Sequence, residues 1–255
     1  MDTTDTPATV WKARRVEEAV LTVVTRWLRL AFADLKRHLV LAVFYGLALF
    51  AAGWGTLFLL WYFNLGWALL PIIAGGMLVG PLATIGLYTI SRRGQGDGVS
   101  DVASPEQIVL IGIILMVFAL AWIRAATLIF AIFFGLLPFA GFADTMATLL
   151  STPQGLATIF VGSIFGGLFA ALGFAVSVFS IPMLVDRKID CFSAMGLSFN
   201  ATTHNFRLMI AWAAIVCAAI FVGLITGLVG LIIIFPVLGF ATWHAYCDLF
   251  KGDRP

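Results

Sequence analysis

The side chains of this sequence best suited to chemistry are His38, His204 and His244, the cysteines Cys191, Cys217 and Cys247, and one arginine, Arg124, set deep in an apolar run. His244 and Cys247 stand one helical turn apart, and with Cys191, His204 and Asp248 they can be drawn as a cation site. The spacing argues against it, because no two of them have the tight separation of zinc motifs. His244 reads better as an interfacial histidine in the aromatic stretch TWHAY. Haem held between helices would need histidines at matched depth, and all three lie near one edge of the expected spans. No metal and no cofactor is expected. Nor is a catalytic residue, since no G-x-S-x-G, H-E-x-x-H, Walker loop or G-x-G-x-x-G between strand and helix occurs. GQGDG after Arg93 reads as a flexible turn, and Asp186 with Arg187 as a boundary ion pair of little worth if exposed.

Arg124 lies about 19 residues into an expected helix, some 28 Å along it. A charge near the middle of a bilayer costs about 2.5–3.5 kcal/mol, so such residues usually face protein or water. Two readings stay open: a contact for an anion or lipid headgroup, or an arginine that satisfies carbonyls or snorkels outward. Every acidic residue is expected at an interface or in a loop and none deep in a span, which argues against proton-coupled transport.

The elements that must position these residues follow from composition. The chain of 255 residues is 62% hydrophobic and 11% charged, against about a quarter charged in soluble domains. Charge is absent between Arg37 and Arg92, between Asp144 and Asp186, and between Arg207 and Asp248. Each run is about twice the ~20 residues that cross a bilayer, so each is expected to be a hairpin of two helices, the middle pair being asymmetric. The spacing predicts an all-α integral membrane protein with six transmembrane helices, at about 39–63, 67–90, 105–137, 154–185, 207–227 and 230–250. Residues 1–38 would form a cytoplasmic segment with an amphipathic helix, 39–250 the membrane domain and 251–255 a cytoplasmic tail. Turns are expected at Asn64 to Trp67 and at Gly227 to Gly230. Ser104 and Pro105 look like an N-cap and a first helical residue.

Every Lys and Arg apart from Arg124 falls on one side of these spans. By the positive-inside rule that side is cytoplasmic, with both termini on it. No secretory signal is expected, because the first long uncharged run begins after Arg37. The slight positive charge then implies no nucleic-acid partner. The expected partners are a bilayer with anionic lipid in its inner leaflet, and a membrane-protein partner or a second copy of the chain. The cysteines are odd in number and placed in cytoplasm or bilayer, so disulfides are not expected.

From Val16 to Leu35 the apolar residues Val16, Val20, Val23, Val24, Trp27, Leu28, Ala31 and Leu35 form one helix face. That face could lie on the inner leaflet or pack against the bundle. A second surface helix is expected from Asp190 to Arg207, with Ile189, Phe192, Met195, Phe199 and Phe206 as its apolar stripe. Aligning LAFADLKRHLVL with LSFNATTHNFRL superimposes Leu30 on Leu197, Phe32 on Phe199 and Leu41 on Leu208. The chain thus reads as three parallel repeats, each a cytoplasmic lead-in followed by a hairpin, without the inverted symmetry of many transporters. Pro81, Pro182 and Pro236 mark the second span of each hairpin, as tolerated prolines or as hinges. Gly76 with Gly80, Gly162 with Gly166, and Gly223 with Gly227 form GxxxG pairs expected to bring helices close.

The segments GPLATIGLYTISRR, SIPMLVDRKIDCFSAMGLSFNATTHN and PVLGFATWHAYCDLF, in that order, resemble an uncharacterised family of predicted bacterial, mainly proteobacterial, inner-membrane proteins. The resemblance runs from about Trp27 to Leu249. It singles out Gly80, Pro81, Gly86, Leu87, Tyr88, Ser91, Arg92 and Arg93 in the first segment. In the second it marks Pro182, Asp186, Arg187, Ala194, Ser198 and Asn205, and in the third Pro236, Gly239, Trp243 and His244. It implies no reaction. Where relatives often place an acid after the arginines this chain has Gly94 and Gln95. The functional expectation is a non-enzymatic accessory, assembly or scaffold component of a membrane complex, respiratory ones included. The alternative is a passive channel or permease for an anion or amphiphile, with Arg124 as its contact.

Overall fold

A computed structural model describes residues 13–69, 72, 73, 76, 80–94, 102–135 and 142–251. These residues are helical nearly throughout, with no strand among them. The α-helices are α1 (Val20–Arg37), α2 (Leu39–Tyr62), α3 (Ile85–Gly94), α4 (Pro105–Phe134), α5 (Phe142–Ser151), α6 (Pro153–Ser177), α7 (Ser180–Asp186), α8 (Cys191–His204), α9 (Phe206–Ile225) and α10 (Leu231–Phe250). Among the described residues five stretches are long and apolar enough to cross a membrane: α2, α4, α6 with α7, α9 and α10. The expected span 67–90 lies partly outside the described residues, and its far part is a 3₁₀ turn, Gly80–Thr84, running into α3.

α1 is set by its apolar spacing. Val23, Val24, Trp27, Ala31 and Leu35 are buried, and the helix packs on α10 and α9, with Trp27 edge-on to Trp212 at 5.7 Å. The Trp27 face therefore meets protein. α1 gives way to α2 through the single residue His38. The first hairpin turns at Asn64, whose φ of 54° is a left-handed conformation asparagine tolerates. The last turns at Gly227, φ 65°, where the amides of Gly227 and Leu228 bond the carbonyls of Leu224 and Gly223 in a helix-ending motif.

Several expectations change. The connection before the fourth span holds a helix of its own, α5, and Thr152 then caps α6 by accepting from the Gly155 amide at 3.0 Å. Ser104 occupies the N-cap position of α4, but its hydroxyl donates to the Arg187 carbonyl at 3.2 Å, tying two helix ends instead of capping one. The fourth span breaks between α6 and α7, and the cause is Ser198 of α8. Its hydroxyl donates to the Ala175 carbonyl at 2.7 Å and accepts from the Phe179 amide at 3.1 Å, standing inside what would be one rung of the helical ladder. Such an inserted hydroxyl bends a helix. Pro182 then falls in the first turn of α7, where a missing N–H costs little, and not at a mid-span hinge.

Pro236 does lie within α10, and it deprives the Ile232 carbonyl of its intrahelical donor. That carbonyl is turned on Gly46 of α2, where a Cβ would overlap it. The close approach expected of the GxxxG pairs is found here, backbone to backbone, at a glycine outside them. A Cβ at Gly76, Gly80, Gly162 or Gly227 would meet nothing within 4 Å among the described residues, and one at Gly166 or Gly223 would meet the side chain of Trp122 or Leu231. Packing is decided by where a backbone must receive another group, which the four-residue spacing does not encode.

Candidate functional site

Three aspartates from three helices gather the polar side chains at one end of the bundle. Asp186, the last residue of α7, is fixed there by the bend that Ser198 imposes. Its carboxylate is 7% exposed. Tyr246 donates its phenolic hydrogen to Oδ2 at 2.8 Å, and Lys251 Nζ donates to Oδ1 at 2.7 Å. Arg187 Nε stands 3.4 Å from Oδ2 and Arg92 Nε 3.7 Å from Oδ1. Arg92 also donates from Nη1 to the Val185 carbonyl at 2.8 Å. Aromatic rings floor the cluster, since Lys251 Nζ lies 5.4 Å from the Trp243 ring and the Arg187 guanidinium 5.7 Å from the Tyr246 ring. Tyr88 stacks on Trp243 at 6.0 Å. Asp186 with Arg187 is thus no exposed boundary pair, but part of a buried set whose electrostatics water screens little.

Asp34 of α1 accepts from the Ser91 hydroxyl and from His244 Nε2, the latter at 2.9 Å. A carboxylate only accepts, so the His244 nitrogen facing it carries the hydrogen. Burial raises the affinity of the Asp34 carboxyl for its proton, but the bonds from His244 and Ser91 outweigh it and hold the group below the usual carboxylate range. His244 is buried within the bundle, where Asp34 gives it a partner.

Asp248 of α10 accepts from Trp27 Nε1 at 2.9 Å and from Arg26 at 2.8 Å. Asn205 clips the segment ahead of α1: its Oδ1 accepts from the Val16 amide at 2.9 Å, and its Nδ2 donates to the Arg14 and Ala201 carbonyls, each at 3.1 Å. The Arg14 amide reaches the Leu249 carbonyl at 2.9 Å.

The chemistry open to this arrangement is narrow. Serine, aspartate and histidine meet, but the carboxylate stands between the other two. A nucleophilic triad needs the imidazole next to the hydroxyl to take its proton. Burial, with the neighbouring Asp190 charge, pushes the Cys191 thiol up, away from a reactive thiolate. Among the described residues no three of His, Cys, Asp and Glu gather as metal ligands would.

Of the residues singled out in the sequence, the fold brings together Tyr88, Ser91, Arg92, Asp186, Arg187, Trp243 and His244, with Asn205 beside them. Gly80, Pro81 and Pro236 lie elsewhere along their helices, and the Arg93 side chain is outside the described residues. Arg124 is on the exposed side of α4, with no ion pair among the described residues. Asp34, Tyr246 and Lys251 were not singled out, and Asp248 only as one corner of a cation site that the sequence argued against. Tyr246 follows Trp243 by three residues and precedes Phe250 by four, a helical spacing that marks it. Nothing local marks Asp34, whose partners come from α3 and α10.

No curated protein and no solved structure matches this chain. The ends of the second and fourth spans, which carry Ser91, Arg92 and Asp186, fall within a recognised stretch, whereas Asn205, Trp243 and His244 lie beyond it: over residues 69–186 the chain matches the family described as predicted integral membrane protein (DUF2189).

Proposed function

We propose that this protein is a six-span component of a bacterial inner membrane, with both termini cytoplasmic, and that it acts without catalysis as an accessory, assembly or scaffold element of a larger membrane complex. The observation that carries this reading is the occupation of the polar cluster by its own members. Asp34, Asp186 and Asp248 each hold donors from other helices, and the residues that the sequence marks are used to clasp helix ends. Such a clasp fixes the relation of α1, α3, α7 and α10 and leaves the outward helix faces to meet neighbours. The alternative, a channel with Arg124 as its contact, draws less support, because Arg124 stands on the outside of the single chain.

The test is isolation of a tagged copy from its native membrane in mild detergent, with native electrophoresis and identification of every co-purifying protein. The expected result is a discrete species larger than the single chain. A chain that runs alone under several growth conditions overturns the reading.

A further inference from the structure

The weak sequence repeat between the two lead-in helices is matched residue by residue in the structure. α1 and α8 each end in a one-residue joint followed at once by a span, and the joints have nearly the same backbone: φ −120°, ψ 33° at His38 and φ −111°, ψ 38° at Asn205. These two residues are equivalent in the alignment that superimposes Phe32 on Phe199. Under the same offset the buried residues coincide: Val24 with Cys191, Trp27 with Ala194, Ala31 with Ser198 and Leu35 with Thr202. The same side of each helix faces the bundle.

At about 100° per residue the remainder of each helix divides into two sectors, not one. Beside the buried face of α1 runs an apolar ridge of Leu21, Leu28, Phe32 and, at the first position of α2, Leu39. Leu21, Phe32 and Leu39 are 79%, 47% and 52% exposed. The equivalent ridge on α8 is Phe192, Met195, Phe199 and, at the first position of α9, Phe206. Its three phenylalanines are 68%, 45% and 61% exposed. The expected apolar stripe of α8 is therefore real, but its phenylalanines point away from the protein; Met195 and Ile189 reach partly onto the core, and the small residues Cys191, Ala194, Ser198 and Ala201 are the buried ones. The third sector is polar on both: Thr22, Arg26, Arg29, Lys36 and Arg37 on α1, and Ser193, Asn200 and His204 on α8.

A helix with one face on protein, one exposed and apolar, and one polar fits a single place, the edge of a membrane bundle at the level of the lipid headgroups. We infer that α1 and α8 are a duplicated pair of interfacial helices whose ridges enter the cytoplasmic leaflet beside the spans they precede. Two observations select lipid over a protein occupant. Each ridge runs without interruption through the joint onto the first exposed residue of a membrane span, Leu39 or Phe206, so it continues a lipid-facing surface. The polar sector of α1 next to its ridge carries arginine and lysine, which gain about 1 kcal/mol each near anionic headgroups. This inference requires the chain to lie in a membrane but not the accessory role, and its test uses the isolated protein.

In a background with Cys191, Cys217 and Cys247 changed to alanine, nitroxide labels are placed one at a time on Phe32→Cys, Phe192→Cys and Phe199→Cys, and on Arg29→Cys, Ser193→Cys and Asn200→Cys. The protein is reconstituted in vesicles of phosphatidylethanolamine and phosphatidylglycerol. Accessibility to oxygen, which partitions into lipid, is compared with accessibility to a water-soluble nickel chelate. The ridge labels are expected to favour oxygen severalfold over the polar-sector labels. Equal ratios, or ridge labels reached by nickel as a face awaiting a soluble partner would be, overturn the inference. The unaltered chain gives a second reading: a diazirine lipid should mark Phe192, Met195 and Phe199 on illumination and leave Ser193 and Asn200 unmarked, and absence of ridge adducts overturns it.

Discussion

α2 and α10 lie side by side and are both long enough to span a bilayer, yet they are used in opposite ways. In the apolar window of α10, 56% of residues are buried, and in that of α2 only 11%. α10 is the less apolar of the two and carries Pro236, His244, Tyr246 and Asp248. In water the more apolar helix would go inside. In lipid the rule reverses, because hydrocarbon accepts leucine and phenylalanine as readily as a protein core does, whereas a polar side chain must find protein partners. The fourth span repeats the lesson. It is interrupted by a serine and ends in Asp186, and 67% of its window is buried, while the uninterrupted α4 buries 17%.

The largest test of this contrast removes the carboxylate at the centre of the clasp. Asp186→Ala leaves Arg92, Arg187, Lys251 and the Tyr246 hydroxyl without their common acceptor, and breaking one side of a buried ionic set costs about 3–5 kcal/mol. Phe44→Ala on α2 removes a larger side chain that is 71% exposed and faces lipid. Its cost should stay near or below about 1 kcal/mol, as for exposed substitutions. Denaturant unfolding in the same micelles compares the two. Equal losses would show that the clasp contributes no more than a lipid-facing ring.

How much of this was legible in the sequence depended on how far apart the partners lie. The membrane class, the amphipathic face of α1, the turn at Gly227 and the proline at the start of α4 are written in neighbouring residues. Arg92, Asp186 and His244 could be marked by resemblance, but their joining could not, since Asp34 meets Ser91 and His244 only after three helices have packed. Ser198 is the clearest case. A lone serine in a surface helix gives no local sign that its hydroxyl will enter the hydrogen-bond ladder of another. The apolar stripe of α8 was found by its period, and its direction was not, because periodicity tells which residues share a face and not whether that face meets protein or lipid.

A smaller effect tests why α2 touches α10 at all. At Gly46 the backbone of α2 receives the Ile232 carbonyl that Pro236 has released, and an added methyl would overlap it. Gly46→Ala should therefore cost about 1–3 kcal/mol, as overpacking does. Gly162, though part of a GxxxG pair, has open space where its Cβ would be. Gly162→Ala should change stability by less than about 1 kcal/mol, in the stabilising direction if helix propensity governs. If both substitutions behave alike in micelle unfolding, the Ile232 carbonyl is not what holds the two helices at this distance.

The smallest effect tests Asp34, the most exposed of the three carboxylates of the clasp, by its response to acid. Asp34 has its proton affinity lowered on folding through the bonds from His244 and Ser91. A carboxyl depressed in this way stabilises the fold above its unfolded value, about 3.9, and that contribution drains away as pH falls toward and through the lower folded value. Asp34→Asn keeps an oxygen to accept one bond but removes the charge, so a loss of about 1–2 kcal/mol is expected at neutral pH. The difference from the unaltered protein should hold steady down to about pH 5 and shrink below about pH 4, where the native carboxyl begins to lose the advantage its charge confers. Unfolding measured at intervals between these values in detergent would show the convergence. A difference that stayed constant to the lowest pH would mean that the bonds from Ser91 and His244 do not depend on the charge of Asp34, and that this corner of the clasp is held by shape alone.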